Sequence, residues 1–368
     1  MRVLTAAAAA LAAMLAPTAA LAHGPGRPEA LTVVAQHLNN PRGLAFGPDG
    51  ALYVAEAGKG GSGPCFPGPE GGDSCFGTTG SLARIKNGQV ARVLTGLPSL
   101  ADPDGSGAIG PSDVTFFGIG FLTTGLGANP DLRNQLPAAG KKLGSLYSFL
   151  PGSLAPKFTL RKVADISAYE KAHNPDGGET DSNPQSVVPG PGGLAVADAG
   201  GNTLLGVTPK GGISTLAVFP DKLTPAPPFL GLPPGTKIPY QAVPTGVAYH
   251  AGAYYLGQLT GFPFPKGAAK IYRVVPGHAP TVVAGGFTNL IDIAFDAHGT
   301  LYALEIAADS LLSDAPSGTL LKVVPGHAPV TVVSGLTFPG GLTIKDGYAY
   351  ISDCGVCAGG GRILRTHL

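Results

Sequence analysis

The side chains of this 368-residue chain that are best suited to chemistry are carboxylates that recur at one position of a repeated pattern. Most of them end a short apolar strand, and two stand near the start of another strand, where the equivalent residues are Gly or Ser. Ca²⁺ binds six to eight oxygens from carboxylates, amides and backbone carbonyls. We therefore predict a divalent cation, in first place Ca²⁺, bound by Glu56, Asp113, Asp198, Gln258, Asp292, Glu305 and Asp353.

Two other interpretations of these acids stay open. An acidic side chain at a strand end also accepts hydrogen bonds from nearby backbone N–H groups, which would explain its recurrence equally well. The same acids could instead act as catalytic carboxylates, although the sequence identifies no particular catalytic residue. The pattern predicts that the repeat histidines, namely His250, His278, His298 and His327, lie in turns on the opposite face. A zinc hydrolase or a Ser-His-Asp triad would therefore find almost no imidazole near the acids.

The elements that position these acids are copies of one four-stranded unit. In PRGLAFGPDGALYVAEAG, from Pro41 to Gly58, two alternating apolar strands flank a tight turn, and a second hairpin follows from Gly80 to Leu97. We name the four strands A to D in chain order. Six copies are present, and their A strands start at Pro41, Pro111, Pro184, Pro244, Leu290 and Pro339. Such regular repetition is typical of a β-propeller.

The two ends of the chain complete one another. The sixth copy stops after its C strand, whereas Leu31–Leu38 precedes the first A strand and matches the pattern of a D strand. If this N-terminal strand completes the last copy, no sheet edge stays exposed. We predict an all-β fold, a six-bladed β-propeller of four-stranded antiparallel blades that is closed by the N-terminal strand.

The long insertions all fall on one predicted face. In antiparallel blades the D-to-A and B-to-C connections share a face, which we call the upper face, and the acids at the B-strand ends reach it as well. Insertions confined to one face usually mark the binding face. The insertions are 58–80, 126–142, 168–183, 220–243 and 306–317.

Composition and the N-terminus indicate where the protein resides. Residues 1–22 are predicted to be a signal peptide, because an apolar Ala/Leu run ends in Ala20-Leu21-Ala22, and residues 23–368 are assigned to the propeller. We expect a secreted or periplasmic monomer with no membrane segment after cleavage, since turn residues interrupt every later apolar stretch. A net charge of +1 gives no basic surface for nucleic acid.

Four cysteines fit an oxidising compartment. Cys65 and Cys75 share one Gly/Pro-rich loop, and Cys354 and Cys357 follow the last B strand. We favour the two local pairs, Cys65 with Cys75 and Cys354 with Cys357. A bond between the first and last blades is the alternative, because sequence alone cannot choose among the pairings.

Several phrases carry a family resemblance. They are Gly110-Pro111-Ser112-Asp113-Val114, Asp181-Ser182-Asn183-Pro184, and Leu259–Pro265 with Ile271-Tyr272-Arg273-Val274. From about Leu31 to the C-terminus the chain resembles the ScyD/ScyE family of secreted propellers. The resemblance implies a secreted propeller and names no activity.

Two functional classes follow from the sequence. The first is a secreted module that binds a small molecule, a glycan or a protein on the upper face. In this class a cation would sit among the acids named above, at the upper mouth of the propeller's central channel, which we call the channel mouth. The alternative is a metal-dependent hydrolase or lactonase-like enzyme, in which a divalent ion polarises a carbonyl or activates water. We expect no nucleotide or organic cofactor in either case. The lack of a second type of titrating group near the acids favours binding.

Overall fold

The computed structural model describes residues 31–68, 71–150 and 159–368, and the secondary structure of these residues is mainly β-strand. The signal peptide predicted for residues 1–22 lies outside the described residues. None of the described helices is long and apolar enough to span a membrane.

Six antiparallel sheets form the blades of the propeller. The first described strand is β1 (Thr32–Leu38). Blade 1 contains β2 (Pro41–Phe46), β3 (Leu52–Glu56), β4 (Cys65–Pro67), β5 (Asp73–Lys86) and β6 (Gln89–Ala101). Blade 2 contains β7 (Pro111–Phe117), β8 (Ile119–Thr124), β9 (Ser145–Phe149) and β10 (Arg161–Asp165). Blade 3 contains β11 (Pro184–Gly190), β12 (Gly193–Asp198), β13 (Thr203–Val207) and β14 (Ile213–Val218).

The chain then forms a separate hairpin of β15 (Lys222–Pro225) and β16 (Lys237–Tyr240). Blade 4 contains β17 (Pro244–His250), β18 (Ala253–Gln258), β19 (Ala269–Val274) and β20 (Thr281–Phe287). Blade 5 contains β21 (Leu290–Phe295), β22 (Leu301–Glu305), β23 (Gly318–Lys322) and β24 (Val330–Leu336). Blade 6 contains β25 (Gly341–Lys345), β26 (Tyr348–Asp353) and β27 (Gly361–His367), and β1 is its fourth strand. The predicted six-bladed, all-β architecture is confirmed.

Blade 6 is assembled from both ends of the chain. Strand β1 pairs antiparallel with β27, with Thr32 opposite Arg365 and Leu38 opposite Gly361. Ala35 and Leu38 are buried against Ile363 of the same blade and against strands of blade 1. The ladder and this packing join the last blade to the first.

Among the described residues, six apolar clusters of the core lie between blades, one for each pair of neighbours. In strand β3 all five residues are buried, because both faces of the strand pack against other blades. Between blades 1 and 2, for example, Tyr53 and Leu82 pack with Leu122 and Phe149. Each blade therefore stabilises its two neighbours.

The upper-face insertions contain structure that the repeat pattern does not predict. The insertion after blade 2 forms helix α1 (Ile166–His173). Asp165 caps the start of α1 by accepting a hydrogen bond from the Ala168 N–H at 3.0 Å, and Asn174 ends the helix in the left-handed conformation. A helix of eight residues is too short to show a clear 3.6-residue period. In the described part of the insertions, short 3₁₀ turns also occur at Pro130–Gln135, Gly140–Lys142 and Pro228–Leu230.

The two favoured disulfides are confirmed. Cys65 of β4 is bonded to Cys75 of β5, and Cys354 is bonded to Cys357 in the B-to-C connection of blade 6. Blades 1 and 6 are joined near the second disulfide by backbone hydrogen bonds instead. The Asn40 N–H donates to the Cys357 carbonyl at 3.0 Å, and the Gly107 N–H donates to the Val356 carbonyl at 3.2 Å.

Candidate functional site

In four of the six blades, an acid at the end of the B strand connects the blade to the loop that enters it. Glu56, the last residue of β3, is completely buried. Its Oε1 accepts a hydrogen bond from the Asn39 N–H at 2.8 Å, and its Oε2 accepts one from the Ser81 hydroxyl at 2.6 Å. The guanidinium of Arg92 pairs with the same carboxylate at 2.8 Å. Both oxygens of Glu56 are thus engaged by protein donors.

The same contact recurs in three other blades. In each, the acid accepts a hydrogen bond from a backbone N–H just before strand A of its own blade. The pairs are Asp198 with Asn183 at 2.5 Å, Glu305 with Thr288 at 2.6 Å, and Asp353 with Thr337 at 2.7 Å. Asp353 also pairs with Arg362 at 2.7 Å. These contacts favour the structural interpretation of the strand-end acids.

The contacts also bear on the predicted cation at the channel mouth. Gln258 is buried at the end of β18, opposite Pro244. In the part of the chain that the structure describes, no three His, Cys, Asp or Glu side chains meet in a group that could hold a metal ion. Since Glu56 and Asp353 are each paired with an arginine, their oxygens do not fit a cation site, and the seven-residue site stays a prediction.

Two acids occupy a different position, on the innermost strands. Asp113 is the third residue of β7 in blade 2, and Asp292 is the third residue of β21 in blade 5, so they stand on opposite blades of the ring. Asp113 Oδ2 accepts hydrogen bonds from the Val187 N–H at 2.8 Å and from the Ser186 hydroxyl at 3.1 Å, both on blade 3. Its Oδ1 accepts from the Val114 N–H at 2.8 Å.

Asp292 repeats this geometry on the other side of the ring. Its Oδ2 accepts a hydrogen bond from the Leu342 N–H of blade 6 at 2.7 Å, and its Oδ1 accepts from the Ile293 N–H at 2.8 Å. Each of the two carboxyl groups therefore joins its own blade to the next one. We call Asp113 and Asp292 the axial pair.

The blade that precedes each axial acid has glycine at the facing position. A Cβ on Gly43 would lie 2.0 Å from Asp113 Oδ1, and a Cβ on Gly246 would lie 2.8 Å from Asp292 Oδ1. Any larger side chain would thus collide with the carboxyl group. A Gly on one blade followed by an Asp on the next, as in Gly43 and Asp113 and in Gly246 and Asp292, is a sequence signal for the axial pair.

Burial dominates the electrostatics of the axial pair. It raises the pKa of Asp113 to about 7, against the lowering effect of the hydrogen bonds from Val187 and Val114. It raises the pKa of Asp292 to about 8, and the charge of Asp113 contributes to the same rise. Near neutral pH the axial pair therefore holds protons that ordinary surface carboxyls would have lost.

A second acid cluster lies in the insertion between blades 2 and 3. It consists of Glu170 on α1, Asp176 and Asp181 in the following loop, and Asp198 at the end of β12. Burial, followed by the charges of the other three acids, raises the pKa of Glu170 to about 8. Burial, followed by Asp198 and Asp176, raises the pKa of Asp181 to about 7. We call these four residues the blade 3 cluster. Of the four, only Asp198 belongs to the cation site that the sequence predicts.

The hairpin β15–β16 presents apolar side chains to solvent. Phe229 is 67% exposed and Phe262, from the B-to-C connection of blade 4, is 44% exposed, with their ring centroids 6.3 Å apart. Both belong to connections on the upper face. Leu223, Leu230 and Leu232 of the same insertion are also exposed. These five residues form the apolar patch.

Comparison with known proteins places the fold. No family model matches the sequence, and no curated relative matches it. Among solved structures, the chain is similar to a glucose dehydrogenase-type oxidoreductase from Thermus thermophilus, with 20% identity and a TM-score of 0.51 over 91% of this chain and 99% of that one. It is also similar to the PQQ-bound aldose sugar dehydrogenase from Streptomyces coelicolor, with 14% identity and a TM-score of 0.52 over 91% and 97% of the two chains.

A gluconolactonase from Xanthomonas campestris is similar at 9% identity and a TM-score of 0.51, over 91% of this chain and 88% of that one. At such identities the likeness shows the fold. The class that fold and sheet order define is the six-bladed β-propeller, which hosts many unrelated activities.

Proposed function

We propose that this protein is a hydrolase of small cyclic esters that works at the axial pair. The observation that carries the proposal is the placement of two carboxyl groups on opposite inner strands with pKa values of about 7 and about 8. Two carboxyls whose pKa values lie apart and near neutrality can act as base and acid in the same reaction.

Burial, and beyond it the charge of ionised Asp113, raises the pKa of Asp292, so we assign Asp113 the role of the base and Asp292 the role of the acid. Asp113 ionises first and is the general base that removes a proton from the attacking water. Asp292 keeps its proton to higher pH and is the general acid that protonates the ring oxygen as the carbonyl carbon–oxygen bond breaks. The product is an open-chain hydroxy acid. A second proton transfer through solvent restores the starting protonation states.

The hydrogen bonds that hold the axial pair leave room for this chemistry. An ionised carboxylate has about four acceptor positions. Asp113 uses three of them and Asp292 uses two, so each can still contact water or substrate. The backbone donors fix both carboxyl groups without titrating themselves, which supports a preorganised site.

The solved relatives support the proposal without deciding it. Among them is a gluconolactonase, which by its name acts on a cyclic ester of a sugar acid, and two sugar dehydrogenases. A small oxygen-rich ring is the substrate class common to these names. The proposed mechanism takes no step through a metal, since the two carboxyl groups of the axial pair carry out both proton transfers.

The test is hydrolysis of a panel of γ- and δ-lactones and 4-nitrophenyl esters, followed by pH-stat titration with and without EDTA. We expect kcat to fall at least about 100-fold in Asp113→Asn and in Asp292→Asn, since general acid or base catalysis contributes about 10²–10⁴-fold. The control is Asp309→Asn, which removes an acid that is 67% exposed and paired loosely with Lys266.

Three results would decide against this mechanism. Lack of turnover by the wild-type protein over the whole panel would reject the activity. Full activity of both axial variants would reject the site. Loss of wild-type activity in EDTA, with folding intact, would indicate a metal-dependent lactonase instead.

The apolar patch favours a second candidate, a module that binds a partly apolar small molecule, glycan or protein on the upper face. Exposed aromatic rings such as Phe229 and Phe262 are common where a ligand is bound. The double variant Phe229→Ser/Phe262→Ser should then weaken ligand binding while lactone hydrolysis is unchanged.

We further propose that the protein is secreted or periplasmic and that its ligand is a small molecule. The two disulfides support an oxidising compartment, where such bonds persist. Detection of the mature protein in the periplasmic or culture fraction, with its N-terminus near His23, would test this.

A further inference from the structure

We propose that the blade 3 cluster binds one hard divalent cation, Ca²⁺ in first place, and that the cation fastens the loop after α1 to the top of blade 3. This site shares only Asp198 with the seven-residue site predicted at the channel mouth, since Glu170, Asp176 and Asp181 do not belong to that set. It is also independent of the proposed hydrolase activity.

The first observation is a concentration of buried oxygens without partners. Among the described residues, six buried side-chain N or O atoms lack a hydrogen-bond partner, and all are oxygens. Four of the six belong to this region, namely Glu170 Oε1, Asn174 Oδ1, Asp181 Oδ1 and Thr203 Oγ1. Buried polar atoms in native structures nearly always have a partner, so a local excess of bare acceptors requires an explanation.

The second observation is that the oxygens converge. Glu170 is 1% exposed, and the position that a Cβ would take on Gly201 lies 2.7 Å from Glu170 Oε2 and 3.5 Å from Asp198 Oδ2. Thr203 stands opposite Asp198 in the β12–β13 ladder. Asp198 is held by the Ser182 hydroxyl at 2.7 Å, next to Asp181. Helix α1 and strand β12 therefore bring two carboxyl groups to the same position at Gly201, and Asp181 and Thr203 are adjacent to the residues that hold or face Asp198.

The third observation concerns charge. The charges that act on Glu170 are those of three other carboxylates, and those that act on Asp181 are likewise carboxylates. Like charges at such proximity repel unless a cation or a proton compensates.

The loop after α1, Asn174-Pro175-Asp176-Gly177, is held by hydrogen bonds to the Asp176 carboxylate. The Gly178 N–H and the Asn202 side-chain amide donate them, at 2.9 Å each.

These donors suit Ca²⁺ better than zinc. Ca²⁺ takes carboxylate, amide, hydroxyl and carbonyl oxygens with water in a flexible geometry, whereas structural zinc needs tetrahedral Cys and His ligands. Glu170 and Asp181 supply charge, and Asn174 and Thr203 supply neutral oxygens. A site with two charged ligands is consistent with the absence of a three-acid metal group among the described residues.

The experiment is calorimetric titration of EDTA-treated, dialysed full-length mature protein with CaCl₂, paired with thermal melts in EDTA and in excess CaCl₂. We expect one Ca²⁺ per chain and a melting temperature about 5 °C higher with saturating Ca²⁺, because a ligand bound only by the native state stabilises it. Asp181→Asn and Glu170→Gln should each weaken binding about tenfold or more.

Two matched controls separate the site from general charge effects. Glu179→Gln removes an exposed acid from the same loop. Asp292→Asn removes an acid of the seven-residue cation site that the sequence predicts at the channel mouth. Both should bind Ca²⁺ within about twofold of wild type. Asn174→Ala, which removes one neutral oxygen, provides a further variant if an acid variant fails to fold.

Each contrary result overturns the proposal. If the wild-type protein shows no Ca²⁺ heat and no shift in melting temperature, the buried acids of the cluster hold protons instead of a cation. If Ca²⁺ binds but Asp181→Asn, Glu170→Gln and Asn174→Ala keep wild-type affinity, the cation binds elsewhere.

Discussion

Glu56 and Asp292 differ in the charge of the groups that donate hydrogen bonds to their carboxylates. Arg92 lies 2.8 Å from Glu56 and neutralises it, whereas Asp292 accepts hydrogen bonds from neutral backbone N–H groups alone. Burial of a carboxyl group without a charged partner favours its protonated form, which raises the pKa of Asp292. The donors around each acid thus decide whether its buried carboxyl group has a compensating positive charge.

The pairing of Glu56 predicts an effect on stability. Arg92→Met should lower the free energy of unfolding by about 3 kcal/mol, because it leaves a buried carboxylate without its cation. The matched control is Arg84→Met, whose partner Asp49 is 26% exposed, and there the loss should be about 1 kcal/mol or less. Denaturant titration of the variants measures both. Equal losses in the two variants would contradict the distinction.

The axial pair predicts how stability depends on pH. The folded pKa of about 8 for Asp292 and about 7 for Asp113 exceed the value of about 3.9 for an unfolded aspartate, so the native state binds these protons more tightly. The contribution of the axial pair to stability should therefore be complete below about pH 4 and should be lost as the pH rises from there through about 8.

Thermal melts between about pH 4.5 and 8.5 in EDTA check this dependence, and Asp292→Asn should reduce its slope. Asp296→Asn is the control, because hydrogen bonds from the Thr300 and His298 N–H groups outweigh its slight burial and lower its pKa, so that it titrates below this window. A melting temperature that rises across this range of pH would show that the axial carboxyls are ionised in the folded protein.

At the scale of the element, the sequence predicts strands much better than insertions. The A strands begin where the repeat places them in five blades, from Pro41 to Leu290, and β25 begins two residues after the predicted Pro339. Period-two alternation between turn signals is a strong pattern. The insertions lack this pattern, which is why α1 and the β15–β16 hairpin were not predicted.

The disulfides belong to this scale, since both lie within single connections. The double variant Cys65→Ser/Cys75→Ser should keep the far-ultraviolet spectrum of the wild type and lose at most about 3 kcal/mol, because the bond joins residues only 10 positions apart. Circular dichroism and limited proteolysis measure the two effects, and cleavage should increase near β4. Cys354→Ser/Cys357→Ser is the matched control. Unfolding of all blades by mild reductant would contradict a local role.

For the whole molecule, the sequence predicts the number of blades and which strand completes the last one. It places the acids at the B-strand ends, but it does not show which donors bind them, because Arg92, Arg362 and the N–H groups before strand A come from other parts of the chain. The axial pair can be read from the repeat as acids facing glycines. The blade 3 cluster cannot, since α1 delivers Glu170 from outside the repeat.

The pairing of β1 with β27 predicts the effect of a truncation. A chain that begins at Asn39 lacks β1 and should unfold at a melting temperature at least about 10 °C lower, because one ladder and the packing of Ala35 and Leu38 are lost. A chain that begins at Leu31 is the control and should melt as the mature protein does. Equal melting of both truncations would mean that β1 does not hold the ring closed.

The same pairing sets the order of events when the protein is made. Strand β1 is the first described strand to be synthesised, and its partner β27 is the last. Contacts between such distant residues make folding slow, and in the interval an unpaired apolar strand is open to wrong partners, including other copies of the chain. Once the ring has formed, however, neither end can leave without breaking a ladder, so the closure that delays folding also delays unfolding.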